Sequence, residues 1–390
     1  MKKIVLSLFL LPFALYSQQW YPMDVGVTNT VSDCYVYGIN QYQNKIIIGG
    51  HFKYSGSRIL NSVALWDNNH WNPMGLGVWW LSQPDTSGYI STFDYYKNKF
   101  YGYGGFDGSG GAYYNDTMHL SRGIAVWDST DWFPICPGII SGINFVCNSS
   151  CVYNNRFYIG GLFGAGLDTS GFTPAHNLIR WNDTVFSNSG NFYTNWGDGI
   201  DAIYDMTTYN GKLILAGGYN TINAFPYGTY KYISTWDDTA FDSLASGFNK
   251  PVHSVVVYNG ELYAGGYFTA RGDSSLPLNY VAKWDGTAWQ PVGEGLNDTV
   301  MKLYVDSSTN TLYAGGSYTQ TGLGVTCRHI AKWTGSNWQE VGGGTSGTNA
   351  LVYSLYSKDS ILYVGGRFTQ VGGSLTVNHI AAWGIVALIV

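Results

Sequence analysis

Residues Glu261-Leu262-Tyr263-Ala264-Gly265-Gly266-Tyr267-Phe268-Thr269, and soon after them Asn279-Tyr280-Val281-Ala282-Lys283-Trp284-Asp285-Gly286-Thr287-Ala288-Trp289-Gln290-Pro291-Val292, decide the fold of this chain. Apolar and polar residues alternate with a period of two over short runs, which is the pattern of half-buried strands. Between the runs stand Tyr258-Asn259-Gly260 and Asp285-Gly286-Thr287. Asn-Gly and Asp-Gly close hairpins because both residue types tolerate positive φ. The unit is therefore a meander of about four short strands.

The unit recurs along the chain. An apolar run ending in a Gly pair stands at Gly49-Gly50, Gly104-Gly105, Gly160-Gly161, Gly217-Gly218, Gly265-Gly266, Gly315-Gly316 and Gly365-Gly366, in steps of 55, 56, 57, 48, 50 and 50 residues. Each pair is followed by one Trp of the same phase: Trp66, Trp127, Trp181, Trp236, Trp284, Trp333 and Trp383. Five residues beyond the first six of these lies a second aromatic: Trp71, Trp132, Phe186, Phe241, Trp289 and Trp338. Repeats of this length, built from strands with no long helical pattern, arrange radially as a β-propeller. The expectation is an all-β fold, a single seven-bladed propeller of antiparallel strands over residues 19–390, with blades at about 28–78, 79–138, 139–190, 191–246, 247–297, 298–346 and 347–390. The aromatics are expected to fill the wedges between blades, and the glycines to stand where neighbouring groups approach too closely for a Cβ.

The ends bear on closure and export. Met1-Lys2-Lys3, an apolar run over residues 4–16 and then Ser17-Gln18-Gln19 form the pattern of a secretory signal peptide, residues 1–17. The run falls short of the ~20 residues a spanning helix needs, so no membrane span is expected. Trp20-Tyr21-Pro22-Met23-Asp24-Val25-Gly26-Val27 matches Trp71-Asn72-Pro73-Met74-Gly75-Leu76-Gly77-Val78 in phase, while the seventh unit has Leu388 where its second aromatic would stand. The N-terminal segment 20–27 thus reads as an orphan outer strand that pairs with the strand ending at Trp383 and closes the ring. The competing expectation puts 385–390 in that slot.

Composition removes several classes of function. With 20 basic and 25 acidic residues, a net charge of -5, the chain lacks the basic footprint of a nucleic-acid binder. With 45% hydrophobic and 17% aromatic residues it is no disordered chain. Five cysteines, Cys34, Cys136, Cys147, Cys151 and Cys327, are too few and too scattered for a disulfide framework, although one pair among Cys136, Cys147 and Cys151 is close enough to oxidise. No zinc spacing, His-Glu-x-x-His, phosphate loop or nucleophile elbow occurs, so no cofactor, metal or catalytic residue is expected.

Apolar-Gly-Gly, then an aromatic or Asn-His pair, then Trp resembles the kelch repeat. The fuller form, Tyr263-Ala264-Gly265-Gly266-Tyr267-Phe268-Thr269 with Ile330-Ala331-Lys332-Trp333-Thr334-Gly335-Ser336-Asn337-Trp338, is similar to secreted bacterial propeller proteins and to the propeller of Rax2-like cell-polarity markers. The resemblance covers nearly everything after the signal peptide and implies a surface or exported protein without assigned chemistry. Many such relatives in Bacteroidetes-type bacteria carry a C-terminal sorting domain for type IX secretion; none precedes Val390, which leaves the export route open. A kelch-like propeller also houses the copper site of galactose oxidase, built from Tyr, His and a cross-linked Cys. That resemblance implies the alternative: an extracellular carbohydrate-active or copper-dependent enzyme.

Loop lengths point to one face. The loop between second and third strands is longest in units two and three, and the crossing between units is longest after units one and three. Because strands alternate in direction, both loop types emerge on the same side. The residues they carry are Trp79, Trp80 and Tyr89; Asp107, Tyr113, Tyr114, Asp116 and His119; Asp168 and His176; and Tyr193, Trp196 and Asp198. Aromatic rings interleaved with carboxylates suit a saccharide or a peptide. The expected function is non-catalytic binding or adhesion, by a monomer, of a glycan or surface protein partner. His329 and His379 occupy the slot of Tyr232 and Tyr280 and read as packing residues. Asp107-Gly108-Ser109-Gly110 and Asp198-Gly199-Ile200-Asp201 offer too few oxygens for Ca²⁺. Arg271-Gly272-Asp273 spells an adhesion tripeptide at a place where other units merely turn.

Overall fold

The computed structural model describes residues 17–385 apart from 30–32, 81–82, 111–120, 136–140, 144–145, 190–200 and 223–227. Among the described residues the secondary structure is strand and turn, without helix. Seven four-stranded antiparallel sheets, of the kind that form propeller blades, share one strand order. The first sheet is Tyr35–Tyr42, Lys45–His51, Val63–Trp66 and Trp71–Pro73; the second is Tyr89–Tyr96, Lys99–Gly105, Ile124–Trp127 and Trp132–Pro134. The third is Val146–Tyr153, Arg156–Leu162, Leu178–Trp181 and Phe186–Asn188, and the fourth Ile203–Tyr209, Lys212–Gly217, Ile233–Trp236 and Phe241–Ser243. The fifth is Val252–Tyr258, Glu261–Gly266, Val281–Trp284 and Trp289–Pro291, and the sixth Val300–Asp306, Thr311–Gly316, Ile330–Trp333 and Trp338–Glu340. The seventh joins Leu351–Lys358, Ile361–Arg367 and Ile380–Gly384 to the N-terminal strand Gln19–Pro22. In that ladder Trp20 stands opposite Trp383 and Pro22 opposite Ala381, while 386–390 lie outside the described residues.

The spacing of five between paired aromatics follows from the hairpin that joins them. Asp285 Oδ1 accepts from the Thr287 and Ala288 amides, both at 2.8 Å, and Asp67, Asp128, Asn182 and Asp237 do the same in their units. This turn sets Trp284 opposite Trp289 in the ladder, with ring centroids 5.4 Å apart. Trp20 and Trp383, from opposite ends of the chain, form the equivalent pair at 5.2 Å.

The outer aromatics also tie each sheet to the one before it. Trp71 Nε1 donates to Met23 O (3.1 Å), Trp132 to Met74 O (3.0 Å), Trp289 to Leu244 O (3.3 Å), Trp338 to Val292 O (3.2 Å) and Trp20 to Gly342 O (2.8 Å). Phe186 and Phe241 have no such donor. In those two sheets the inner Trp181 and Trp236 donate instead to the Tyr101 and Tyr158 hydroxyls of the preceding sheet, at 3.4 and 3.2 Å.

The Gly pair answers two different steric demands. A Cβ on the first residue, at Gly49, Gly160, Gly265, Gly315 or Gly365, would fall 2.5–2.7 Å from an Ile or Val on the next sheet's innermost strand. For Gly365 that residue is Val36, so the seventh sheet packs on the first. A Cβ on the second residue would fall 2.0–2.4 Å from a carbonyl oxygen at the start of the sheet's own first strand or of the residue just before it. By this criterion the second residues are Gly50, Gly104, Gly161, Gly217, Gly266, Gly316 and Gly366, which corrects the phase expected for two units: the equivalent pairs there are Tyr103-Gly104 and Ala216-Gly217, not Gly104-Gly105 and Gly217-Gly218.

Tyr103 thus fills a position that admits only a small residue elsewhere, and the facing sheet has yielded to it. Cys147, in the same buried cluster, stands where the other sheets have Val36, Ile90, Ile203, Val252, Val300 and Val352. Ser150 stands where they have Ile39, Phe93, Met206, Val255, Leu303 and Leu355.

Each second Gly amide donates to the carbonyl of a left-handed residue, and these are Ser62, Gly123, Asn177, Tyr232, Tyr280, His329 and His379. Positive φ on a bulky residue usually flags a special site. Repeated in every unit, it is part of the scaffold, and His329 and His379 are packing residues as expected.

One expectation needs correction. The strands are not all antiparallel, because Ser121 and Arg122 run parallel to Ser141 and Gly142 in a small accessory sheet. Cys147 and Cys151 are both free, Cys147 buried against the preceding sheet, and Cys136 lies outside the described residues. Arg271-Gly272-Asp273 forms a turn, as expected: Arg271 Nε donates to Trp289 O (2.6 Å) and Asp273 Oδ1 accepts from the Ser275 amide (2.9 Å).

The exchange at Tyr103 is testable. Cys147→Ile should overpack the wild type by about 1–3 kcal/mol, and Tyr103→Gly should cost about 3–5 kcal/mol as a cavity. In denaturant titrations the double variant should be more stable than the sum by at least about 1 kcal/mol. Additivity within about 0.5 kcal/mol would show that the two positions do not share this space.

Candidate functional site

The collision that excludes a Cβ from the second Gly arises because the first strand slips by one residue opposite it. The register shifts between Val36 and Gly38, Ile90 and Thr92, Cys147 and Ser149, Ile203 and Asp205, Val252 and Ser254, Val300 and Lys302, and Val352 and Ser354. Each slip is a β-bulge, which turns its extra residue away from the ladder. The extra residues are Tyr37, Ser91, Asn148, Tyr204, His253, Met301 and Tyr353, and all seven line one cavity of about 560 Å³.

Around the mouth of this cavity the aromatic rings form two groups. Tyr37 lies 5.5 Å from Tyr89 and 5.1 Å from Tyr353, and stacks on Tyr35 at 5.5 Å. The Arg367 guanidinium stands 5.5 Å over the Tyr35 ring and pairs with Asp33 at 3.0 Å. In the second group the His253 ring lies parallel to Tyr204 within 6° at 4.7 Å, with Tyr267 edge-on at 4.9 Å. Burial pushes the Tyr89 and Tyr204 phenols up to about 12 and raises Tyr37 and Tyr353 as well, so these rings are neutral. Burial drives His253 down to about 4 despite the opposing charge of Asp205, so its imidazole is neutral too.

The polar floor is already committed. Asp205 Oδ2 accepts from Ser254 Oγ (2.8 Å), the Val255 amide (3.1 Å) and Lys302 Nζ (3.2 Å), and its Oδ1 accepts from the Met206 amide (3.1 Å). Asp94 accepts from Ser150 Oγ at 2.6 Å, and burial raises its pKa against the pull of that bond and of Lys302. Both oxygens of Asp205 are thus engaged in hydrogen bonds, and Asp94 is held by Ser150. The lining ends at Ile39, Ser150 and Leu355, although the strands run on to Tyr42, Tyr153 and Lys358. Among the described residues no three His, Cys, Asp or Glu side chains gather as a metal would require.

The two loop types do share a face, the bulged one. The crossing residue Trp79 pairs with Gly108 of the second-to-third loop, and Gly142 with Leu167, Phe248 with Arg271, Leu296 with Thr321 and Ser346 with Gln370 repeat the arrangement. Of the expected ligand residues, Tyr89 alone among those described lines the cavity. Trp79 is half-buried, its ring over Gly108 and its Nε1 3.4 Å from Gly110 O; Trp80 is half-buried beside it in the same short strand. The Asp107 amide donates to Trp79 O at 3.0 Å. Asp168 is buried and spends its carboxylate on Ser170 and the Phe186 amide, which makes it a turn residue away from the cavity. His176 is half-buried, its imidazole pushed below its ordinary pKa by burial. Tyr113, Tyr114, Asp116, His119, Tyr193, Trp196 and Asp198 lie outside the described residues.

The bulge residues themselves escaped the sequence reading, yet they carry a signal. Six of the seven stand thirteen residues before the second Gly, and the sixth unit's Met301 stands fifteen before Gly316 because its first hairpin is longer.

No family model and no curated protein matches this chain. Among solved structures, the crystal structure of the computationally designed Ika8 protein is similar, with a TM-score of 0.50 and 10% sequence identity over 94% of this chain and 100% of that one. At that identity the likeness concerns the fold alone. Among the described residues no helix is long and apolar enough to cross a membrane.

The neutral imidazoles set a pH dependence. His253 and His379 are both held down to about 4 by burial, against about 6.5 in an unfolded chain. Between these values the unfolded chain binds more protons, so stability is full above about pH 6.5 and is lost as pH falls toward 4. The melting temperature should decline across that window, and His253→Phe, which keeps the ring stack, should decline less. An unchanged slope would place His253 in a more polar setting than this one.

Proposed function

We propose that the seven sheets close into one kelch-like, seven-bladed propeller, and that the chain is an exported, non-catalytic binding module. Its site is the axial cavity with the longer loops at its mouth, presented to a glycan or surface protein partner. The observation that carries the reading is the convergence of all seven bulge residues on one cavity. Three of them are Tyr and one is a neutral His, an aromatic surface with adjacent hydroxyls of the kind ligand pockets use. Export rests on the charged and apolar N-terminal pattern.

Closure is supported by the Trp20–Trp383 ladder pair and by the indole bond from Trp20 to Gly342 on the sixth sheet. Trp20→Phe should cost about 1 kcal/mol, one hydrogen bond, and Trp20→Ala about 3–5 kcal/mol. In a closed ring the loss appears in global unfolding and in hydrogen exchange of both Tyr35–Tyr42 and Leu351–Lys358. If only the terminal strand frays and the global transition stays put, the ring is open.

A copper-dependent enzyme is the second reading, favoured by the meeting of Tyr204, His253 and Tyr267. The parallel stack of His253 on Tyr204 weighs against it, because a shared metal needs the in-plane nitrogen lone pair and an ionised phenol, and burial opposes that ionisation. A glycan array and bacterial surface-binding assay on the purified protein test the module directly. Binding without turnover, reduced at least tenfold in Tyr37→Ser/Tyr353→Ser but retained in part after Trp79→Ala/Trp80→Ala, is the expected result. Binding lost only with the loop tryptophans would move the site off the axis, and oxidation of an added sugar would replace the module with an enzyme.

A further inference from the structure

Resting on the binding-module reading, we propose that the axial cavity accepts a single neutral sugar ring, the terminal residue or a one-residue branch of a glycan, held between two aromatic arcs. Going round the ring of sheets, Tyr353, Tyr37 and Tyr89 belong to the seventh, first and second sheets, and Tyr204 and His253 to the fourth and fifth. The sheets between these arcs contribute Asn148 on one side and Met301 on the other. In a ring of seven, the first sheet lies across the axis from the fourth and fifth, so the arcs face each other.

Three features choose the ligand's chemistry. The aromatic faces are neutral, and a pyranose ring presents apolar C–H faces to such surfaces while its hydroxyls point outward. The polar groups at the wall are amide and hydroxyl, from Asn148, Ser91, Thr92 and Ser354. Of the acidic and basic side chains in the cavity lining, Lys302 and Asp205 pair with each other, so neither is left to draw an ionic ligand.

One feature chooses the ligand's shape. The lining reaches only two residues past the bulge, and Lys302 from the sixth sheet crosses to Asp205 on the fourth beneath it. A chain therefore cannot thread the axis; it enters by an end.

The test uses the full mature chain and a panel of methyl pyranosides (gluco, galacto, manno, fuco and N-acetylgluco), with adenosine and N-acetyltyrosine amide as flat aromatic probes, followed by saturation-transfer NMR. At least one methyl pyranoside should bind, and should compete with an array glycan ending in the same sugar. Tyr353→Leu and His253→Ser should each weaken that pyranoside at least fivefold, while His253→Phe, which restores the stacking face, should keep it within twofold; melting curves show that each variant folds. Binding of adenosine or the tyrosine amide in preference to every pyranoside overturns the inference. So does an array glycan whose binding no methyl pyranoside competes, which leaves the binding-module reading standing. Silence of both the array and the pyranosides removes that reading and the inference together.

Discussion

In every unit a carbonyl oxygen at the start of the first strand, or of the residue just before it, occupies the space where the second Gly would carry its Cβ, 2.0 Å away at Gly50, Gly104, Gly217 and Gly316. Ladder geometry without a bulge would not bring backbone so close. The glycine permits the slip, the slip shortens the first strand's reach by one residue, and the residue set aside lines the cavity. The same glycine's amide is then taken by the left-handed residue ahead of the third strand. One missing methyl group thus joins three strands and supplies the cavity wall.

Outside that inner rim, the chain fills a widening wedge. Paired aromatics do this at the outer strands, where Trp71, Trp132 and Trp289 are wholly buried, and a buried indole needs a partner for its N–H. The preceding sheet's backbone provides it five times. Where Phe186 and Phe241 remove that bond, a Tyr hydroxyl on the preceding sheet still receives the inner Trp, a link the second sheet makes from Trp127 to Tyr42 besides its outer one. In the Tyr103, Cys147 and Ser150 exchange the facing sheet gives up volume where Tyr103 gains it.

The parts of this architecture that repeat were legible in the sequence, because a repeated physical need leaves a repeated residue. Gly50 and Gly366, Trp66 and Trp333, and the match of Trp20 to Trp71 all belong to this class. What was not legible is what the repeat leaves unconstrained. Tyr37, Asn148, His253 and Met301 share a position and nothing else, so only their fixed distance from the second Gly could have exposed them. Within the loops, Asp168 is consumed by a turn and Trp79 covers a glycine, local duties that composition does not distinguish from recognition.

Because the bulge takes one side chain per sheet out of the ladder, these seven positions form an alphabet written on a frame that does not read it. Tyr, Ser, Asn, His and Met already stand there. A mutation at such a position changes what the rim displays and leaves both glycines, the left-handed residue and the aromatic wedge untouched. A designer could therefore randomise seven codons as a compact library while the glycines that shape the frame stay as they are.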